Sequence, residues 1–247
     1  MFFRVNRVVV ITGASSGLGL ALSKKFIERG AFVFGASRTK RNWKTALAAV
    51  DHSDRFFLRA ADLTKEPVVQ RFLQSVQKKA GCIDLLINCA GYGGRLATVE
   101  QLSLSEFEKH LSNNLLSTFL MCKRTIPFMR KQKGGLIINI SSMAGKRAVP
   151  RLAAYSAAKF GIVALSQCVA KENSDANLKC ITVCPGGMNT KMRSDLFGDK
   201  DAGRQQSVSY VSDVIAQVTT GKIDVESGGD IVIRHGKITA INPAPKA

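Results

Sequence analysis

Three side chains have the types and spacing for proton transfer. Tyr155 and Lys159 stand four residues apart, so on a helix both project from one face. Ser142 precedes Tyr155 by thirteen residues and follows an apolar run. A free phenol titrates near 10, and bringing it to neutrality takes roughly 3 units, or about 4 kcal/mol of preferential phenolate stabilisation. An ammonium about 4 Å away at an effective dielectric of about 20 supplies that much. With Lys159 beside it, Tyr155 is expected to titrate well below an ordinary phenol and to serve as general acid and base. Tyr and Lys at helical spacing are also frequent on plain solvated faces, so the pair needs support from elsewhere.

One support is the run Thr12-Gly13-Ala14-Ser15-Ser16-Gly17-Leu18-Gly19, which joins an apolar segment to a helical pattern. Glycines there let the backbone approach a pyrophosphate whose charge sits on a helix N-terminus. The competing reading is an ordinary strand-to-helix turn. Further on, Gly35-Ala36-Ser37-Arg38 places Ser37 where a carboxylate would take both ribose hydroxyls of NAD, and Arg38 follows it. A guanidinium there suits the 2′-phosphate of NADP, so NADP(H) is expected over NAD(H). Against this stands Arg38 as a solvated residue, like Lys40 and Arg41.

The elements that must position these groups alternate. Strands are expected at Val8 to Ile11, Ala31 to Ala36, Arg55 to Ala60, Asp84 to Asn88, Leu136 to Ile140, Lys179 to Val183 and Ile231 to Arg234. Helices are expected at Gly17 to Arg29, Glu66 to Lys79, Ser105 to Arg130 and Leu152 to Lys171. Ser103-x-x-Glu106 opens the third as a capping box, and Pro127 should kink or shorten its last turns. Continuous runs such as Leu136-Ile137-Ile138 suit strands buried on both faces. The pattern is that of an α/β fold, a Rossmann-like doubly wound parallel sheet of about seven strands with helices on both faces. No linker or repeat divides residues 1–247, so a single domain is expected. Gly186 to Gly203 reads as a mobile loop, and Lys237 to Ala247 as a tail beyond the last strand.

The spacing Gly13-x-x-x-Gly17-x-Gly19, with Tyr155-x-x-x-Lys159, resembles the short-chain dehydrogenase/reductase family. So does Asn88-Cys89-Ala90-Gly91, which looks like the family's N-N-A-G with Cys89 in place of the second Asn. Pro185-Gly186-Gly187-Met188-Asn189-Thr190 is similar to its P-G-x-x-x-T segment. The resemblance implies an NADP(H)-dependent oxidoreductase that interconverts a carbonyl and a secondary alcohol, with Ser142, Tyr155, Lys159 and Asn114 catalytic. Asn113 competes with Asn114, the family register favouring Asn114. The implied cofactor contacts are Gly13, Ser15, Ser16, Gly17, Leu18, Gly19, Ser37, Arg38, Asp62, Leu63, Asn88, Ala90, Gly91, Tyr155, Lys159, Pro185, Gly186 and Thr190, with Asp62 holding the adenine, Lys159 the nicotinamide ribose and Thr190 the carboxamide. A homo-oligomer, dimer or tetramer, is implied as well, assembled through the two long helices.

The net charge of +18 favours anionic partners. No acid lies between Glu108 and Glu172, and Lys146, Arg147 and Arg151 fall between Ser142 and Tyr155. An anionic or carrier-linked substrate, such as a 3-oxoacyl group on an acyl carrier protein or CoA, is the sharp reading. Arg130 and Lys131 resemble the basic positions of carrier-protein reductases. A merely basic surface is the plain one. A non-catalytic NADP-binding sensor on the same fold and a non-specific nucleic-acid binder complete the alternatives, though no nucleic-acid module is present. Six cysteines without C-x-x-C read as reduced, buried and cytoplasmic. His52, His110 and His235 form no metal motif and read as surface or packing residues; no metal is expected. The opening Met1-Phe2-Phe3-Arg4-Val5-Asn6 leads into an apolar run too short for a signal peptide or membrane span.

Overall fold

The computed structural model describes residues 7–50 and 53–245; the opening hexapeptide and His52 lie outside them. In chain order the elements are β1 (Val8–Thr12), α1 (Gly17–Glu28), β2 (Phe32–Ser37), α2 (Trp43–Ala48), β3 (Phe56–Ala60), α3 (Glu66–Ala80) and β4 (Leu85–Asn88). There follow α4 (Leu104–His110), a π-helical segment (Leu111–Leu116), α5 (Ser117–Lys131), β5 (Gly135–Ile140), α6 (Ala153–Glu172) and β6 (Leu178–Pro185). The chain ends in α7 (Lys191–Phe197), α8 (Asp199–Gly203), α9 (Val208–Thr219), β7 (Asp230–Arg234) and β8 (Lys237–Asn242).

The strands form one sheet in the order β3-β2-β1-β4-β5-β6-β7-β8, with β1 to β7 parallel and β8 antiparallel to β7. The side on which successive strands are added reverses between β1 and β4, and such a switch point opens a crevice beyond the strands' carboxyl ends. Strand alternation explains why the apolar runs are unbroken. Val9 and Ile11 of β1 pack with Leu22 and Phe26 of α1 and Val214 and Ile215 of α9 on one face. Val8 and Val10 pack with Phe72 and Leu73 of α3 and Met121 of α5 on the other. Each strand in between is thus covered twice.

Four expectations change. The tail contains an eighth strand, β8, which closes the sheet beside β7. The segment expected as a mobile loop folds as α7 and α8, the first capped by Thr190 Oγ1, which accepts from the Arg193 N–H at 3.3 Å. The long third helix is interrupted at Leu111–Leu116, where the Ser117 N–H bonds the carbonyl of Ser112, five residues back. Of the kink or shortening expected at Pro127, the shortening is absent, since α5 continues to Lys131; the missing N–H falls in the last turns, where Met129 is fully buried on the sheet. The Ser103 cap is present, accepting from Glu106 N–H at 3.3 Å.

Candidate active site

Thr12 ends β1 at the switch point and its hydroxyl accepts from the N–H groups of Cys89 and Ala90, both at 2.9 Å. That clamp brings the β4 loop against the glycine loop. Gly13 has φ +70, and a Cβ there would stand 3.0 Å from the Ala90 Cα. A side chain is thus excluded both by backbone conformation and by space. Gly19 answers to the same packing, since a Cβ on it would collide with the Gly13 carbonyl. Ser16, before α1, gives its first turn no side-chain cap, and that turn carries no acid. Its free N–H groups face a cavity of 360 Å³.

Gly13, Ser15, Ser16, Gly17, Leu18, Gly19, Ser37, Arg38, Leu63, Ala90, Gly91, Tyr155, Lys159 and Thr190 all line this cavity, so the structure brings most of the expected cofactor set together. Its described lining holds Arg38, Lys159 and Lys191 and no carboxylate. Asp62 sits just behind, its carboxylate accepting from the Thr64 hydroxyl at 2.7 Å and the Thr64 N–H at 3.1 Å. Burial works to raise its pKa, but those bonds and the charges of Arg38 and Lys65 leave it below the usual carboxylate value. Asn88 is not at the cavity. Its side chain is buried and donates to Asn139 Oδ1 at 2.8 Å, knitting β4 to β5. Pro185 and Gly186 line a second cavity instead.

At the rim, Ser37 Oγ donates to the Thr39 carbonyl at 2.9 Å and accepts from the Trp43 indole N–H at 2.6 Å. Trp43, on α2, went unnoticed in the sequence; it fixes the Ser37 hydroxyl. Arg38 reaches across to donate to Asn113 Oδ1. Asn113, not Asn114, therefore lines the cavity. Asn114 is fully buried behind it, with Oδ1 accepting from Tyr92 N–H at 3.0 Å and Nδ2 donating to the Tyr92 and His110 carbonyls at 3.1 and 3.0 Å.

Tyr155 and Lys159 share one face of α6, as their spacing requires, and the Lys159 ammonium is 5.5 Å from the Tyr155 ring centre. Lys159 is 4% exposed. It is tied to the end of β5 twice: its ammonium donates to the Ile140 carbonyl at 2.9 Å, and the Ser141 hydroxyl donates to its own carbonyl at 2.8 Å. Burial brings its ammonium down to about 8. Burial also holds the Tyr155 phenol above its ordinary value, although a hydrogen bond with Ser142 pulls the other way. The expected depression by Lys159 is thus absent: desolvation disfavours both charged forms and outweighs the attraction in the spacing argument. The phenol stays protonated at neutral pH, the form a proton donor needs.

Tyr155 stands between two spaces. The second cavity, of 750 Å³, also has Ser142, Met143, Arg147, Pro185, Gly186 and Arg234 in its walls. Lys146 turns away to pair with the buried Asp230 at 2.7 Å, and Arg151 lines neither cavity. Arg130 is occupied by Asp175 at 3.0 Å and Asn173 Oδ1 at 2.7 Å. Cys168 is exposed and Cys82 and Cys89 are half-buried, contrary to a uniformly buried set; Cys122, Cys180 and Cys184 are buried. His110 is buried rather than superficial, and His235 lines the second cavity. No group of three or more described His, Cys, Asp or Glu side chains is placed to hold a metal ion. α6 is long and apolar enough to cross a membrane, yet Ala154, Ala158, Ile162 and Ser166 along it are buried inside the protein.

A family model for short chain dehydrogenases matches residues 7–201. A D-threitol dehydrogenase of Mycolicibacterium smegmatis is 35% identical over 193 residues, which are 77% of this chain and 74% of that protein. An NADPH-dependent pterin aldehyde reductase of Arabidopsis thaliana is 27% identical over 92% of this chain and 93% of its own. Among solved structures, a 3-ketoacyl-(acyl-carrier-protein) reductase from Brucella melitensis, complexed with NADH, superposes with a TM-score of 0.85 at 25% identity, covering 93% of this chain and 98% of that one.

Proposed function

Because the chain belongs to the short-chain dehydrogenase/reductase family, an oxidoreductase family acting on alcohols and ketones, we propose that it is an NADP(H)-dependent enzyme in which Tyr155 passes the proton between solvent and a carbonyl oxygen. The observation that carries this is the position of Tyr155: one phenol, hydrogen-bonded with Ser142, borders both the phosphate-compatible cavity and the roomier one beside it.

The residues fit a phosphorylated dinucleotide. The uncapped start of α1 and the close-approach glycines suit a pyrophosphate. Arg38 suits a 2′-phosphate, and the described lining offers no carboxylate to repel it or to take the ribose hydroxyls. The relatives do not decide the point, since one is named for NADPH and another was solved with NADH. When bound, the nicotinamide of NADPH would supply the hydride that the carbonyl carbon takes up. The carbonyl oxygen accepts a proton from Tyr155, leaving a secondary alcohol and a phenolate. Ser142 donates to the same oxygen and orients it. Lys159 stabilises the phenolate electrostatically, and its ammonium holds the nicotinamide ribose. Asn114 braces the Tyr92 loop behind the site. Asp62 and Leu63 bound the adenine end, and Thr190 the nicotinamide end.

We assign the whole chain to one catalytic domain, because residues beyond the family match supply β7 and β8 of the same sheet. NADPH oxidation across a panel of ketones and aldehydes tests the reading. Steady turnover with at least one carbonyl is expected; none with any would overturn it.

A further inference from the structure

The second cavity carries charge of one sign. Arg147 enters it from the loop after β5, Arg193 from α7, Arg204 from the end of α8 and Arg234 from the end of β7. No Asp or Glu lies in the described lining. Asp201 stands beside Arg193 and is committed to it: Arg193 grips it through Nε at 2.5 Å and Nη2 at 3.0 Å. Arg204 shares only the field of that same carboxylate. No hydrogen bond or ion pair joins the guanidinium of Arg147 or that of Arg234 to a described residue.

Four guanidiniums drawn from separate elements, one of them paired with Asp201, are not a run of neighbours along one solvated helix. The fold assembles them. Low-dielectric walls lined by one sign of charge focus the field inward and raise the local concentration of counter-charged ligands. Guanidiniums also offer the planar paired donors that carboxylate and phosphate oxygens accept. The sequence pointed to Lys146, Arg147 and Arg151 for such a role; only Arg147 reaches the cavity, and its partners come from distant segments.

Register gives the separation. Ser142 follows β5, Pro185 ends β6 and pairs with Ile233 of β7, and Arg234 comes next. Two strand spacings, about 10 Å, therefore lie between the backbone near the reacting phenol and that of Arg234. Resting on the carbonyl-reductase reading above, we propose that the substrate is a ketone or aldehyde bearing a carboxylate or phosphate-type group, which Arg147 and Arg234 bind while the carbonyl faces Ser142 and Tyr155. The 750 Å³ volume accommodates a small organic acid with several bonds between the two groups.

The test compares acetoacetate, levulinate and acetonylphosphonate, each beside its methyl ester, for NADPH oxidation by the wild-type enzyme. At least one anion should exceed its ester by roughly tenfold or more in kcat/KM, with the advantage shrinking as salt is raised. In R147Q/R234Q the ratio of acid to ester should fall towards one; the wild-type comparison stands even if that variant fails to fold. A preference for the carboxylates or for the phosphonate identifies the group. Equal or better turnover of the esters overturns the proposal and leaves the reductase reading intact, as does reduction of uncharged ketones alone. Failure with every carbonyl removes the reading beneath it.

Discussion

The imidazole of His110 meets the ring of Tyr155 edge to face, with centroids 6.1 Å apart, and leans on Tyr92 at 5.0 Å. His110 is 2% exposed, its Nδ1 has no hydrogen-bond partner, and Nε2 lies 3.9 Å from Glu106 Oε1, which already accepts the Tyr92 hydroxyl at 2.7 Å. Burial holds its pKa below the usual value, against the pull of Glu106. The unfolded chain therefore takes up a proton at this residue as pH falls through about 6.5 while the folded protein does not, so stability is lost on acidification. The unfolding free energy from urea titrations should fall between pH 7 and pH 5 by up to about 1.4 kcal/mol per unit from this group. H110F should show a shallower fall, and parallel curves for the two proteins would contradict the assignment.

Tyr155→Phe removes one oxygen from the wall common to both cavities. NADPH binding, followed by nicotinamide fluorescence, should persist within a few-fold, while reduction drops by roughly two to four orders of magnitude, the range for a lost general acid. Substantial turnover by Y155F would move the proton donor elsewhere.

At the cavity rim, Arg38 donates to Asn113 and Ser37 is held by Trp43. Arg38→Leu should raise KM for NADPH about tenfold or more and leave that for NADH nearly unchanged, as expected for loss of a charge-assisted phosphate contact. Adding Ser37→Asp should turn the preference towards NADH, because a carboxylate there accepts from both ribose hydroxyls. An unaltered ratio of the two kcat/KM values in the double variant would assign the phosphate to other residues.

Lys159 carries a cost in the cofactor-free protein. Its folded pKa of about 8 against an ordinary value of 10.5 means that the buried ammonium opposes folding at neutral pH. Between those two values the unfolded chain holds the proton and the folded one does not, so wild-type stability gains on a Lys159→Met variant as pH rises. At pH 7, K159M should be the more stable by about 1 to 3 kcal/mol, after the orphaned Ile140 carbonyl is counted. The advantage should shrink towards pH 10. Denaturant titrations at the two pH values decide it; a K159M protein less stable at both would show that the bond to Ile140 outweighs desolvation.

The central strands were legible because each is buried on both faces, as in Leu136-Ile137-Ile138, which leaves no polar interruption to mislead. β8 was not, since Lys237–Asn242 alternates exposed and half-buried residues at the sheet edge and reads as a polar tail. Helix α9 hid among the β-branched residues Val208, Val211, Val214, Ile215 and Val218, whose weak helical propensity is overridden by packing on α1 and the sheet. Spacing placed Tyr155 beside Lys159 but could not report desolvation, so the direction of the phenol's shift came out reversed. Trp43 and Arg234 carry no motif. Their roles arise from α2 folding back on β2 and from β7 lying next but one to β5.

The five-residue closure from Ser117 to Ser112 gives the helix between Leu104 and Lys131 one residue more than an uninterrupted α-helix would hold over the same length. Each helical residue turns the chain by about 100°. Were Leu111–Leu116 to take regular α-helical geometry with no residue removed, Leu104–His110 would swing by that angle against Ser117–Lys131, carrying the His110 ring away from Tyr155. The wide turn absorbs the extra residue and so keeps the two halves of the helix in register: an irregularity in the backbone is what leaves His110 against Tyr155.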